Sequence, residues 1–360
     1  MSDERSREEQ TMTEPRTADE RLREEQRTVV ITGASRGLGF ASSVRLHREG
    51  WRVVAAMRTP DRGMALLREA TGAGEDDDRL IGVQLDLTDA ASIAAAAKTI
   101  DETVGAPNAL VHNAGISAAG MVEEADIDLW EQMFTTHVLG PVALTKALLP
   151  AMRAAGRGRV VMVSSTGGIR GMPGIAAYSA SKGAIDRWAE AMAGEIAPFG
   201  LGVTVLVTGT YDTDIITDAG TTDDRNFHGP YARLHNTMDS RGRFAIRFAR
   251  RPERFADGLL KALDDTGPFR RRAVGPDAVM LLALNRVVPS SGMHHVPRLV
   301  MGIPRQGSMR GGAYPLTAAQ KAMVFAAKVL PQPVMQRLAE IAMRRAAVKA
   351  AADQGSGTNA

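Results

Sequence analysis

A serine, a tyrosine and a lysine in the middle of the chain have the residue types and spacing of an acid/base site. Ser165 ends the apolar run VVMVSS, and the segment YSASK places Tyr178 four residues before Lys182. Residues four apart lie on one face of a helix. An ammonium group near a phenol favours the phenolate and so lowers the pKa of the phenol. The spacing predicts that Lys182 makes Tyr178 a usable acid/base, with Ser165 donating a hydrogen bond to a substrate oxygen. Taken alone, an amphipathic surface helix explains Tyr178 and Lys182 equally well.

A glycine-rich turn precedes this region. The β-branched run Thr28–Thr32 leads directly into TGASRGLG, where Gly33, Gly37 and Gly39 let the backbone turn tightly and approach a pyrophosphate at a helix N-terminus. The spacing differs from GxGxxG, and glycines in such a turn can serve packing alone. A second turn signal, HNAG, includes Asn113, whose amide side chain can fix neighbouring loops.

Two arginines favour a phosphorylated dinucleotide. An acidic residue at the end of the second strand would hold the ribose hydroxyls of NAD(H), but Met57 and Arg58 stand there instead. Arg36 in the glycine turn and Arg58 suit a 2′-phosphate, so NADP(H) is expected rather than NAD(H). Two ordinary surface arginines are the alternative. Asp86, in LDLTD, is placed either to bind the adenine amino group or to cap the following helix.

These motifs require a framework of parallel strands and helices. Short β-branched runs alternate with longer alanine-rich stretches, which predicts an α/β fold with a doubly wound parallel sheet and helices on both faces. Most of the strand runs are apolar at every position, as strands buried on both faces require. The predicted strands are Thr28–Thr32, Arg52–Met57, Leu80–Leu85, Ala109–His112, Val160–Ser164 and Val203–Val207. The predicted helices are Gly37–Glu49, Ala90–Thr103, Trp130–Ala154 and Tyr178–Ala197.

The sequence divides into four predicted regions. Residues 1–26 are predicted to be a disordered, charge-rich tail, 27–275 the α/β domain that carries the motifs above, 276–351 a mainly helical extension and 352–360 a second disordered tail. Residues 212–240 are polar and irregular, which favours a lid over the sheet edge. The basic segment FRRRAVG predicts one more strand before the extension. The extension ends in a predicted basic amphipathic helix, about 317–351, that packs on its own protein or lies on anionic lipid.

Composition restricts the class of protein. The 360 residues contain no cysteine, which excludes disulfides, thiolate zinc sites and cysteine nucleophiles, and fits a reducing cytoplasm. The start is charged and lacks the apolar core of a secretory signal, so a cytoplasmic location is expected, with peripheral membrane contact through the basic C-terminal helix as an open alternative. Residues 241–360 hold 20 Lys and Arg against 7 Asp and Glu, which suggests an anionic partner. Nucleic acid is not expected, because no nucleic-acid-binding motif occurs.

In this order and at these spacings, TGASRGLG, HNAG, the Ser165, Tyr178 and Lys182 set and a final Gly209-x-x-x-Thr213 resemble the short-chain dehydrogenase/reductase family. The resemblance implies a Rossmann-type domain in which a nicotinamide cofactor exchanges a hydride with a carbinol carbon while Tyr178 exchanges the oxygen's proton. It also implies that Lys182 holds the nicotinamide ribose. The residues implied to line the cofactor are Gly33, Ala34, Ser35, Arg36, Gly37, Leu38, Gly39, Arg58, Asp86, Leu87, Asn113, Ala114, Gly115, Tyr178, Lys182, Gly209, Tyr211 and Thr213.

The chain departs from the family pattern twice. His137 stands where the family commonly has an asparagine that holds a water in a proton relay to the lysine, so His137 is a candidate catalytic residue that titrates near neutrality. A plain buried histidine is the alternative. Thr208 and Gly209 replace the usual Pro-Gly, which predicts a looser loop at the nicotinamide.

The expected activity is interconversion of a ketone and a secondary alcohol on a fairly large apolar substrate, such as a steroid, long-chain or polyketide-like compound, by a homodimer or homotetramer. A 3-oxoacyl thioester reductase and a non-enzymatic NADP(H)-binding regulator are the alternatives. The adjacent His294 and His295 have no carboxylate close in sequence, so no metal site is expected.

Overall fold

The computed structural model describes residues 26–213, 221–310 and Phe325 of the chain. The chain divides into two units, residues 1–303 and 304–360. All helices and strands named below belong to the first unit. The predicted tails, apart from Gln26, and the predicted helix at 317–351, apart from Phe325, lie outside the described residues, and the predicted boundary after residue 275 stays a prediction.

Nine strands are found in the described residues, and seven of them form one parallel sheet. They are β1 (Thr28–Thr32), β2 (Arg52–Met57), β3 (Leu80–Gln84), β4 (Ala109–His112), β5 (Ser117–Ala119), β6 (Gly158–Ser165), β7 (Leu201–Thr208), β8 (Thr221–Asp223) and β9 (Phe269–Val274). The sheet order is β3-β2-β1-β4-β6-β7-β9, and β5 pairs with β8 in a separate parallel ribbon. All six predicted strands are confirmed, and the basic segment FRRRAV forms the edge strand β9.

Helices cover both faces of the sheet, as predicted. They are α1 (Gly37–Arg48), α2 (Pro60–Thr71), α3 (Ala90–Val104), α4 (Ile127–Phe134), α5 (Gly140–Ala154), α6 (Thr166–Ile169), α7 (Ala176–Ile196), α8 (Ala232–Ile246), α9 (Pro252–Leu263), α10 (Pro276–Val287), α11 (Ser290–Met293) and α12 (His295–Met301). The last three form the helical region predicted after the main domain.

Alternation along the strands explains the two layers. In β1, Val29 and Ile31 belong to the core under α1 and α9, whereas Val30 belongs to the core under α3 and α5. Both faces of a strand must therefore be apolar, because helices remove water from each side. The order reverses between β1 and β4, and ligands of such sheets bind at the carboxyl ends of the strands at this reversal.

One predicted helix, Trp130–Ala154, is interrupted. The structure has α4, a π-helical segment at Thr135–Leu139 and then α5. Pro141 has no N–H to donate back along the helix, which disturbs the regular hydrogen-bond ladder. Single π turns of this kind occur often at functional sites. Here the segment contains His137.

The polar stretch at residues 212–240 contains more regular structure than its pattern predicts. Strand β8 pairs with β5, and α8 begins at Ala232. The pattern misses α8 because few of its side chains are buried, and one of these is polar His235, whose Nε2 lies 2.8 Å from a Glu124 carboxylate oxygen. Residues 214–220 lie outside the described part of the chain. The lid role stays a prediction.

Two further helices, α2 and α9, were not predicted from the sequence. Each begins with a proline, which the first helical turn accommodates. In α9, Phe255, Leu259 and Leu263 follow helical spacing and are buried against α1 and the sheet. In the part of the chain that is described, no helix has the length and apolar character needed to cross a membrane.

Candidate active site

The predicted chemical groups converge at the carboxyl edge of the sheet, beside β4 and β6. Ser165 is the last residue of β6, and Tyr178 and Lys182 lie in the first two turns of α7. A Cβ added to Gly115, just after β4, would lie 3.1 Å from His137 Nε2 and 3.6 Å from Lys182 Nζ. The loop after β4, the π segment and α7 therefore meet around one glycine, whose missing side chain leaves room for these polar groups.

The phenol of Tyr178 is less acidic in this structure than the sequence predicts. Burial raises the pKa of Tyr178 above its usual value of 10, and a hydrogen bond from the Ser165 side chain opposes this effect. Lys182 Nζ lies 5.8 Å from the centroid of the tyrosine ring and donates to the Val163 carbonyl oxygen at 2.9 Å. The expectation that the Lys182 ammonium lowers the pKa of Tyr178 is therefore wrong, because burial raises this pKa and the opposing effect comes from Ser165.

Lys182 is itself perturbed by burial. Its side chain lies under the β6 edge, and desolvation lowers its pKa from 10.5 to about 8, opposed by the charge of Asp186 one helical turn further on. A lysine with this pKa is still mostly protonated at neutral pH, so Lys182 brings a positive charge to the site. The bond to Val163 fixes the ammonium against the sheet.

His137 has both ring nitrogens engaged. The backbone N–H of Ile116 donates to Nε2 at 3.1 Å, and Nδ1 lies 2.8 Å from Ser181 Oγ. Ser181 donates its only hydroxyl proton to the Tyr178 carbonyl oxygen at 2.8 Å, so it must accept from Nδ1–H. The contacts select the neutral tautomer protonated at Nδ1. Burial, and then the charge of Lys182, lower the pKa of His137 well below 6.5, so its predicted titration near neutrality is wrong.

A hydrogen-bonded asparagine supports the glycine turn. Asn113 Nδ2 donates to the Thr32 and Gly33 carbonyl oxygens at 2.9 and 3.3 Å. The Thr32 hydroxyl accepts from the backbone N–H groups of Asn113 and Ala114 at 3.1 and 3.0 Å. These bonds join the ends of β1 and β4. The turn after β1 is thereby fixed against the end of β4.

The same turn has a backbone that suits the close approach of a dinucleotide. Gly33 and Gly37 have φ of 69° and 56°, which favour glycine, and a Cβ at Gly33 would lie 2.8 Å from Ala114 Cα. Helix α1 then begins at Gly37 with no acidic residue in its first turn and no side-chain cap. The N–H groups and dipole at such a helix start favour an anion, so the turn fits a pyrophosphate.

The residues expected around the adenosine half differ in their surroundings. Arg36 and Arg58 are exposed, at the start of α1 and just after β2. The Asp86 carboxylate accepts from the Thr88 N–H and hydroxyl at 2.9 and 2.7 Å, and these bonds, together with the charge of Arg58, lower its pKa. The cap of α3 is Asp89, which accepts from Ala91 N, so the alternative of Asp86 as the helix cap is wrong. The Leu87 side chain lies in the core under α3 and α5.

The loop after β7 is tied down rather than loosened by the replacement of proline. Thr208 Oγ1 donates to the Ser164 carbonyl oxygen at 2.6 Å, and Gly209 N donates to the Val274 carbonyl oxygen at 2.9 Å. The N–H and hydroxyl of Thr210 both donate to Asp277 Oδ2, at 2.7 and 3.0 Å. Asp277 lies in the first turn of α10 and was missed by the sequence reasoning. The sequence signal for Asp277 was weak: an acidic residue directly after a GP pair, which is typical of a helix start.

Thr213 and Tyr211, the two remaining predicted residues of this loop, have different surroundings. Thr213 is next to the glycine turn, since its Cγ2 would be 3.4 Å from a Cβ at Gly37. The Tyr211 ring is buried against Phe255, with 5.8 Å between ring centroids, so its backbone rather than its ring is available to a cofactor. In the described residues, no three His, Asp or Glu side chains lie together as a metal ion would need.

The fold and this site define a class of protein. The family profile described as short chain dehydrogenase matches residues 27–224, more than half of the chain, and the chain belongs to that family. It is an oxidoreductase that acts on CH–OH groups with NAD or NADP.

Individual relatives match over most of their length. Oxidoreductase BOA17 of Botryotinia fuckeliana is 33% identical over 251 residues, which cover 69% of this chain and 89% of that protein. The 3-ketodihydrosphingosine reductase of Bacteroides thetaiotaomicron is 29% identical over 282 residues, covering 76% of this chain and 98% of that protein. A crystal structure of a short-chain dehydrogenase from Streptomyces avermitilis matches with a TM-score of 0.65 and 30% identity, covering 78% of this chain and 99% of the other.

Proposed function

We propose that this enzyme interconverts a ketone and a secondary alcohol on a fairly large apolar substrate with NADP(H). The observation that carries the proposal is the convergence of Ser165, Tyr178 and Lys182 at the sheet edge beside the glycine turn. The bound dinucleotide supplies the hydride. The protein must then supply a hydrogen bond to the substrate oxygen and a proton in step with hydride transfer.

The catalytic residues take distinct roles in this proposal. Ser165 Oγ, which already accepts from Gly167 N at 3.1 Å, orients the substrate oxygen with its proton. The Tyr178 hydroxyl donates a proton to that oxygen in reduction and accepts it in oxidation. Lys182 binds the nicotinamide ribose and stabilises the phenolate that Tyr178 becomes. Burial raises the pKa of the Tyr178 phenol, which favours its protonated form and so suits Tyr178 to donate a proton in reduction.

The preference for NADP(H) rests on Arg36 and Arg58 and on the lack of an acidic residue at the end of β2. Replacing Arg58 by Ala is expected to weaken NADPH binding about tenfold or more, because charge-assisted bonds to phosphate are lost, and to leave NADH binding nearly unchanged. Dissociation constants for both cofactors, from nicotinamide fluorescence, measure this. Arg62→Ala, which removes an exposed arginine in the first turn of α2, is the control. Equal losses for NADPH and NADH would contradict the assignment.

The size and apolar character of the substrate are inferred from the helical region α10 to α12, which offers apolar side chains, and from one relative. The Bacteroides protein is named a reductase of 3-ketodihydrosphingosine, a long-chain ketone, and the alignment spans nearly all of it. A 3-oxoacyl thioester reductase is the second candidate, favoured by the basic surface at residues 241–254, which suits an acidic carrier. Assembly as a homodimer or homotetramer stays a prediction.

A substrate series tests the function. The enzyme is assayed with NADPH and, in turn, ketones of increasing chain length, a steroid ketone and a 3-oxoacyl thioester. Oxidation of NADPH is followed as the loss of its nicotinamide absorbance. We expect kcat/KM to rise with chain length for the simple ketones and to exceed that of the thioester. A higher value for the thioester selects the second candidate. Tight NADPH binding without turnover of any ketone or thioester would indicate a binding protein and overturn the proposal.

A further inference from the structure

The last turns of α8 and the residues that follow it are basic, aromatic and unusually exposed. Residues 241–248 are all exposed, and they include Phe244 and Phe248, whose side chains are 63% and 71% exposed and in edge contact with ring centroids 5.3 Å apart. Single exposed apolar residues are ordinary, but two exposed phenylalanine rings in contact with each other are unusual. We call residues 241–254 with Leu299 and Val300 the basic aromatic surface.

The two parts of this surface are joined by a side chain. The Arg241 guanidinium donates to the Leu299 carbonyl oxygen and, at 2.8 Å, to the Val300 carbonyl oxygen of α12. The Leu299 and Val300 side chains are 60% and 58% exposed. Arg241 and Phe244 are three residues apart on one face of α8, and Phe248 follows one turn later. The exposed apolar residues of α8 and α12 therefore lie close to the contact of Arg241 with the α12 carbonyl oxygens.

The surface is strongly cationic. Six arginines and one glutamate occur between residues 241 and 254. Among the described residues, two long ion pairs neutralise part of this charge: Arg243 with Asp239, 3.9 Å apart, and Arg254 with Asp257, 4.0 Å apart. Arg250, Arg251, Glu253 and Arg254 line an open cavity of about 430 Å³. Guanidinium groups bind phosphate in a bidentate manner, so a cavity with three of them suits a phosphate group.

We propose that the basic aromatic surface docks the enzyme on an anionic lipid membrane, with Phe244 and Phe248 entering the headgroup region and the arginines binding lipid phosphates. Aromatic side chains flanked by Lys and Arg are typical of segments that lie in this interface. A second copy of the chain fits poorly, because a twofold contact would bring the same arginines together. An acidic protein would satisfy the arginines but leaves the paired, apolar phenylalanines without an evident role. The proposal concerns binding and does not depend on the substrate.

Vesicle flotation of the full-length protein tests this proposal. Phosphatidylcholine vesicles are compared with vesicles that also contain phosphatidylglycerol, at low and high salt. We expect binding to the anionic vesicles alone, weakened by salt because the attraction is screened. The double variants Phe244→Ser/Phe248→Ser and Arg243→Glu/Arg247→Glu are each expected to lower the partition coefficient at least about tenfold. The matched control is Arg153→Glu/Phe199→Ser, an exposed arginine and phenylalanine in contact elsewhere, which should bind like the wild type.

A second readout reports insertion directly. In a Phe244→Trp variant, tryptophan emission is expected to shift to shorter wavelength with anionic vesicles and to stay unchanged with phosphatidylcholine alone. The proposal would be overturned if the wild type did not bind anionic vesicles. It would also be overturned if the control variant lost vesicle binding as strongly as the surface variants do. Binding of an acidic carrier protein, lost in the same variants while vesicles are ignored, would assign the surface to a protein partner instead.

Discussion

At the scale of residues, the spacing of Ser165, Tyr178 and Lys182 is enough to predict that they meet, because strand ends and helix turns follow from local sequence. The hydrogen bonds and burial around these residues cannot be predicted in this way. The tautomer of His137 depends on Ile116 and Ser181, which come from two other segments of the chain. The pKa of Tyr178 depends on burial by the assembled site. Both properties arise from tertiary contacts, so the sequence alone leads to wrong expectations for them.

His137 is best interpreted as a positioning residue that joins the loop after β4 to α7. Replacing it by Ala is expected to lower kcat about tenfold or more, because Ile116 N–H and Ser181 lose their partner beside Tyr178, with little change in NADPH affinity. His137→Gln, whose carbonyl oxygen can accept from Ile116, should recover part of the rate. Steady-state kinetics and cofactor titration measure both.

The neutral state of His137 adds a pH test. Because the pKa of His137 is well below 6.5, its titration should not contribute a limb near pH 6.5 to the profile of kcat/KM. The wild type and His137→Gln are therefore expected to share the shape of their profiles between pH 5.5 and 8. An inflection near pH 6.5 that vanishes only in the variant would show that the histidine titrates during turnover.

At the scale of elements, most of the parallel strands were predictable because they are apolar on both faces. An apolar stripe makes helices predictable for a related reason, and α9 has such a stripe although it was not predicted. The π segment and α8 have no such signal. The first depends on the contacts of His137 and on Pro141 further along the helix, and the second is stabilised by the buried pair of His235 and Glu124 rather than by apolar spacing.

Asp277 provides a test of how α10 supports the cofactor loop. Asp277→Ala removes the carboxylate oxygen that accepts both hydrogen bonds from Thr210, and is expected to raise the KM for the cofactor about tenfold, with a smaller effect on kcat. Asp277→Asn keeps one side-chain oxygen as an acceptor and should lose less. If the Ala variant left the KM for the cofactor unchanged, the loop would have to be held by Thr208 and Gly209 alone.

His112, at the end of β4, gives the core a predictable pH dependence. Burial lowers its pKa to about 3, and Nε2 is hydrogen-bonded to Thr145 at 2.7 Å. Below about pH 6.5 the unfolded chain binds a proton there and the folded protein does not. The free energy of unfolding should therefore fall between about pH 6.5 and 3, with a slope from this group approaching about 1.4 kcal/mol per pH unit. Urea unfolding of the wild type against His112→Gln measures the difference, and parallel curves would contradict it.

At the scale of the whole molecule, one parallel sheet with helices on both faces brings four separated motifs to a single edge. That architecture was predictable because its sequence signals are local and repeated along the chain. The distribution of charge was also visible in the sequence. The sequence did not show that six arginines and two phenylalanines share an exposed segment beside α12. Such a surface depends on which residues the fold leaves uncovered.

In the proposed reaction, Tyr178 exchanges a proton with a substrate oxygen beside the nicotinamide. The most direct test is Tyr178→Phe, assayed for ketone reduction and for NADPH binding in the same preparation. We predict a fall in kcat/KM of about a thousandfold, within the range for loss of a general acid, with the NADPH dissociation constant nearly unchanged. Reduction of the same ketone by the variant at the wild-type rate would contradict the account.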